Sequence, residues 1–114
     1  MKIIASIDLE LVRAGRESRE SITIAVEQPR KISEEEWSAC VTDPKTKENQ
    51  IVSGNDAIQV LSIALNFVGN RMKSMKALGN LWFFAGTDSE FPVDAYFFMG
   101  CFHDSLEKKA EPVD

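Results

Sequence analysis

Apolar residues recur at every second position at the start of the chain. Over residues 2–12, Ile3, Ala5, Ile7, Leu9 and Leu11 alternate with Ile4, Ser6, Asp8, Glu10 and Val12. A period of two puts one set on a buried face and the other on a wet face, so this stretch predicts a β-strand. Residues 13–17 are polar around Gly15 and predict a turn. A second strand follows over about 19–27, with Ile22, Ile24 and Val26 on one face and Ser21, Thr23, Ala25 and Glu27 on the other. The short spacing makes the two an antiparallel hairpin. Pro29 ends the second strand, because it has no N–H to give to a ladder.

Residues 32–36 read as a connector and about 35–42 as a third strand, with Trp37, Ala39 and Val41 on one face. Residues 43–49 are a loop by composition. Residues 50–53 form a short strand that closes a second hairpin. From Ala57 the period changes. Ile58, Leu61, Leu65, Val68, Met72 and Met75 step by three or four, and Ala57, Val60, Ala64 and Phe67 widen that stripe. This predicts a helix over roughly 55–78, opened by the N-cap types Ser53, Asn55 and Asp56 and closed by Gly79. Its apolar circumference is broad enough to pack on a sheet below and on another element or chain beside it. Two segments then follow that are apolar on both faces, residues 81–85 and 92–102, separated by a turn at 86–90. Such runs predict central strands or strands covered on both sides. Their aromatic residues serve either as core or as a contact surface.

The expectation is one α+β domain over residues 1–103 with a charged tail at 104–114. Its antiparallel sheet has about five or six strands, and one long helix packs on one face. The order is β-β-β-β-α-β-β. Ile7, Leu9, Ile24, Trp37, Leu61, Leu65 and Val68 are the expected core.

Composition narrows the function. The chain has 114 residues, 44% of them apolar and 27% charged, and a net charge of -5. A domain of this length buries roughly two thirds of its unfolded surface and needs no metal or disulfide to fold. The acidity argues against a nucleic-acid or anionic-membrane surface, which would need clustered Lys and Arg. No apolar run of about 18 residues is present to span a bilayer. Residues 1–12 do not read as an export signal, since Asp8 and Glu10 interrupt them. A cytoplasmic protein with two reduced thiols, Cys40 and Cys101, is expected.

Candidate chemistry is sparse. Cys101, His103 and Asp104 lie together, but a nucleophile also needs an oriented base and an oxyanion hole, which three neighbours at one strand end rarely supply. One His and two distant Cys do not make a zinc site, and no calcium-loop spacing occurs. Gly54 precedes a helix without a P-loop Lys, so capping is the role expected there. No catalytic residue, metal or cofactor is expected, and the protein reads as a non-enzyme. The densest charge run is Glu34, Glu35 and Glu36, next to Trp37, with a second acidic turn at Asp88 and Glu90. These six residues are the candidate partner-binding set, an acidic surface with an aromatic beside it.

Several segments resemble a small bacterial family of uncharacterised stand-alone proteins. They are the opening Ile4-Ala5-Ser6-Ile7-Asp8-Leu9-Glu10-Leu11, the Ile22-x-Ile24 strand ending at Pro29, Trp37-x-x-Cys40, and Gly54-x-Asp56-Ala57-x-Gln59-x-Leu61-x-x-Ala64-Leu65. The resemblance covers about residues 3–85 and implies a bacterial source and an α+β fold. It carries no catalytic residues. In size and charge alone the chain is also similar to immunity proteins, which bind a toxin domain and block its active site. The expected function is therefore a protein-binding module that neutralises a cognate bacterial toxin domain. The alternative is a small-ligand-binding or accessory domain, one version of which is a homodimer.

Overall fold

The two alternating stretches form the middle of the sheet. The computed structural model describes residues 2–97. In it β1 (Ile3–Val12) pairs antiparallel with β2 (Arg19–Glu27), with Ile7 opposite Ile24 and Leu9 opposite Ile22. Directly opposed residues share a face, so the apolar sets of both strands point to the same side. Three further strands follow: β3 (Arg30–Ser33), β4 (Glu36–Thr42) and β5 (Asn49–Gly54). β5 runs along all of β4, from Trp37 opposite Gly54 to Thr42 opposite Asn49. The other edge of β4 is shared, because Val41 also faces Val26 of β2 while Ser38 and Trp37 face Arg30 and Lys31 of β3. β2 and β3 thus occupy a single strand position, broken at Gln28 and Pro29. β6 (Leu81–Phe84) lies on the far side of β1, with Trp82 opposite Leu11 and Phe84 opposite Leu9. The result is a six-stranded antiparallel sheet in five positions, ordered β5, β4, β2 with β3, β1, β6.

One long helix, α1 (Ala57–Ala77), packs on one face of this sheet. Its ends match the expectation. The Asp56 carboxylate accepts from the Gln59 amide at 2.8 Å, and the Gln59 side chain accepts from the Asn55 amide at 2.6 Å. At the other end Gly79 takes φ +97°, and its amide and that of Asn80 close onto the Lys76 and Met75 carbonyls. A left-handed glycine is what this C-terminal motif requires. The helix begins beside Gly54 and ends beside Ala14, where the Ala14 amide donates to the Asn80 side chain.

The element order differs from the expected one at two places. The connector expected over 32–36 overlaps the end of β3 (Arg30–Ser33), because the chain stays extended past Pro29, loses β1 as a neighbour and keeps β4. The last expected strand, over 92–102, begins instead with a short helix, α2 (Val93–Phe97). The Pro92 carbonyl accepts from the Ala95 and Tyr96 amides, and a proline at a helix start forfeits no hydrogen bond. The rest of that segment, Cys101, His103 and the 104–114 tail lie outside the described residues.

The core joins Leu9, Leu11, Ile22, Ile24, Val26 and Val41 of the sheet to Ala64, Val68, Met72 and Met75 of α1, and to Trp82, Phe91 and Val93. Leu9, Ile24 and Val68 are buried as expected, with Ile7 and Leu61 packed at the margin. Leu65 and Trp37 are not core. Leu65 is 47% exposed and Ile58 80%. The buried stripe is Val60, Ala64, Val68, Met72 and Met75, turned away from the bulkier residues. Small side chains let the helix settle close to the sheet, and Gly69 does the same for α2. A methyl at Gly69 would sit 2.5 Å from Phe97 Cβ. Trp37 is half-buried because it lies near the start of β4, opposite Gly54, where the helix only begins.

Met72→Ala should cost roughly 2–5 kcal/mol. Leu65→Ala should cost less than about half of that, since the loss scales with apolar area removed from water. Urea midpoints of the two variants check the placement of the buried stripe, and equal losses would contradict it.

Candidate functional site

The hairpin joining β3 to β4 turns at Glu34 and Glu35 and projects past the end of β1. Glu34 pairs with Lys31 at 3.3 Å. Among the described residues no cation lies within ion-pair distance of Glu35 or Glu36. Ile32 is exposed on the same hairpin, and the half-buried Trp37 follows directly. Four of the six expected contact residues therefore do meet at one place, an acidic tip with two apolar side chains.

Asp88 and Glu90 are elsewhere. They sit in the loop after β6, at the opposite edge of the sheet, with β1 and β2 between. Their charges are answered. Arg19 donates to the Thr87 carbonyl and to Asp88 at 2.8 Å, lies 3.5 Å from Glu10, and covers the Phe83 ring at 4.3 Å. Glu10 also accepts from the Gly86 amide at 2.7 Å. Glu90 pairs with Lys76 at 3.2 Å. These contacts fasten the loop, while the Asp88 and Glu90 side chains remain exposed to solvent. The same loop closes the free side of β6, through Phe84 N to Ser89 O and Phe91 N to Trp82 O.

Elsewhere, charges pair at strand ends. The Arg13 guanidinium, donating to Glu20 at 3.0 Å, holds that carboxyl below its ordinary 4.5, with Lys47 adding to the effect. A lowered value means the pairing contributes to stability above the ordinary value and is lost as pH falls through the lowered one. Asp43, buried at the end of β4, meets Arg71 at 3.3 Å.

A second concave feature was not singled out in the sequence. An open groove of about 290 Å³ runs between the sheet and the two helices. Ile7, Ile24 and Val26 form its floor, Leu65 and Val68 one wall, and Phe91, Tyr96 and Phe97 the other. The Phe91 and Tyr96 rings pack with centroids 4.5 Å apart, tilted by 42°. The signal that could have found this groove is the excess apolar breadth of the helix, which left Leu65 without a place in the core.

The candidate trio Cys101, His103 and Asp104 lies outside the described residues. Cys40 is a free, half-buried thiol, and Asp56 is used as a cap. Among the described residues no three His, Cys, Asp or Glu side chains gather as a metal site. No described helix is long and apolar enough to cross a membrane.

A small α+β domain is thus defined, with one helix and an aromatic cluster on the same face of an antiparallel sheet. The chain belongs to the domain family of unknown function DUF6968, whose match spans residues 8–93. No curated protein and no solved structure matches it.

Proposed function

We propose that this protein is a non-catalytic binding module of the immunity type, which holds and neutralises a cognate bacterial toxin domain in the cytoplasm. The carrying observation is the β3–β4 tip, where Glu35 and Glu36 have no cation within ion-pair distance among the described residues. Uncompensated charge on a projecting hairpin costs little in water and steers a partner of opposite sign. Toxin domains that cut nucleic acid present basic surfaces to phosphate, so an acidic tip complements them. Ile32 and Trp37 supply apolar contact area inside the charged rim. Asp88 and Glu90, expected in the same role, lie at the opposite edge of the sheet, paired with Arg19 and Lys76, and form no continuous surface with the tip.

A second reading follows from the groove. Its apolar floor and aromatic wall suit a small apolar ligand.

The tip is tested by Glu34→Lys with Glu36→Lys in the full chain, against a toxin domain recovered with it. The association rate should fall about tenfold, and its dependence on salt should weaken. Protection of cells expressing that toxin should fall with it. An unchanged rate at low and moderate salt contradicts the reading. The groove is tested with an apolar fluorescent dye. Dye binding should be saturable in the parent and lost in Leu65→Glu, and binding that survives the substitution excludes the groove.

A further inference from the structure

Among the described residues the sheet has three outer backbone edges, and two are protected. β6 is closed by Ser89–Phe91 through two backbone bonds and the bridge from Phe83 to Glu90. The free side of β3 follows Pro29 and carries Arg30 and Lys31. Proline, charge and covering loops are the usual means of blocking an open edge. Among the described residues the outer edge of β5 has none of these. Its sequence, Asn49-Gln50-Ile51-Val52-Ser53-Gly54, contains no charge and no proline. Among the described residues β5 pairs only with β4. Ile51 at its centre is 74% exposed.

We infer that the outer edge of β5 pairs with β5 of a second copy of this chain, antiparallel, joining the two sheets into one. A two-fold axis perpendicular to the sheet keeps both helices on the same side and sets like faces opposite each other. Centred on Ile51, it places Ile51 against Ile51 on the open face and Gln50 against Val52 beneath the helices. In this register Thr46 of one copy falls opposite Asp56 of the other, which brings Lys45 near Asp56, while Glu48 falls opposite Gly54. Each copy has a net charge of -5, and the uncharged edge is where two such molecules approach with least repulsion.

The helix fits the same arrangement. Its backbone lies over β4 and β5. Gln59 stands against Gly54 and Arg71 against Asp43, so Ile63 and Phe67, at i+4 steps between them, lie along the flank above this hairpin. Ile51 is about 10 Å from Gly54 along the strand. The helix rises a similar distance, about 10 Å, from Ala57 to Ala64, so Ile63, still partly exposed, is level with the centre of β5. Strand spacing then separates the two helices by roughly 10 Å at that level, which is the distance at which helices pack. Ile63 of each copy would close the gap above the joined strands. The two acidic hairpin tips point to opposite ends of the joined sheet and stay free, so this pairing is independent of the toxin-binding reading.

Sedimentation equilibrium of the full chain, from micromolar to submillimolar concentration, tests the pairing. The parent should reach twice the chain mass. Ile51→Lys, which sets two ammonium groups face to face on the axis, should remain a monomer with unchanged circular dichroism, whereas Ile58→Lys and the Glu34→Lys, Glu36→Lys double variant should dimerise as the parent does. Amide exchange of the parent should slow with concentration at β5 and not at β6, a readout that stands even if Ile51→Lys fails to fold. A parent that stays monomeric throughout overturns the inference. So does a dimer that persists in a folded Ile51→Lys, or one whose β5 exchange is independent of concentration.

Discussion

A single helix cannot cover a sheet this wide. Five strand positions span roughly 24 Å, whereas a helix with its side chains is about 10–12 Å across. Half of the apolar face must be covered by something else, and the rest of the architecture follows from that mismatch. α1 starts over β4 and β5 and runs diagonally toward β1. The other half is covered by Trp82, Phe91 and Val93, all buried, backed by Phe84, Tyr96 and Phe97. The aromatic density of the last third of the chain is therefore the second half of the core. Where the two coverings meet, they leave a seam, which is the groove lined by Leu65 and Tyr96.

The same constraint explains the helix. Its buried stripe uses Ala64 and Val68, and Gly69 admits α2, because close approach gains more contact than bulk does at a crowded crossing. Larger residues are displaced to the two flanks. One flank, with Leu65, faces the groove; the other, with Ile63 and Phe67, overhangs β5. A helix apolar over most of its circumference thus has a use for each sector, and the β5 side is the one that a second copy would complete.

Much of the fold was legible in local signals. A period of two identified β1 and β2, and the shift to a helical period, with Asp56 and Gly79 as caps, bounded α1 to within two residues. Those features depend on neighbours in sequence. The misreadings depend on distant partners. Pro29 does end the pairing of β2 with β1, but nothing local shows that β4 waits on the other side to pair with β3. Leu65 has the spacing of a core residue and lies on the flank, because which sector faces the sheet is decided by packing volume. β6 is apolar on both faces although it lies at an edge, since Arg19 covers Phe83 from one side and the core takes Trp82 from the other. At the candidate site, the run Glu34–Glu36 was plain, but the neutralisation of Asp88 by Arg19 spans 69 positions and has no sequence signature. Residues 50–53 were legible as a short strand, but its position at an edge depends on which distant strands pair, and that has no local signal.

The central claim is that the aromatic cluster and the helix are two halves of one core. Equilibrium unfolding of Phe91→Ala measures this most directly, because Phe91 is 1% exposed and comes from the loop between β6 and α2. The account predicts a single cooperative transition with a loss of about 3–5 kcal/mol. A stability equal to that of the parent, or a separate early transition confined to the aromatic segment, would contradict it.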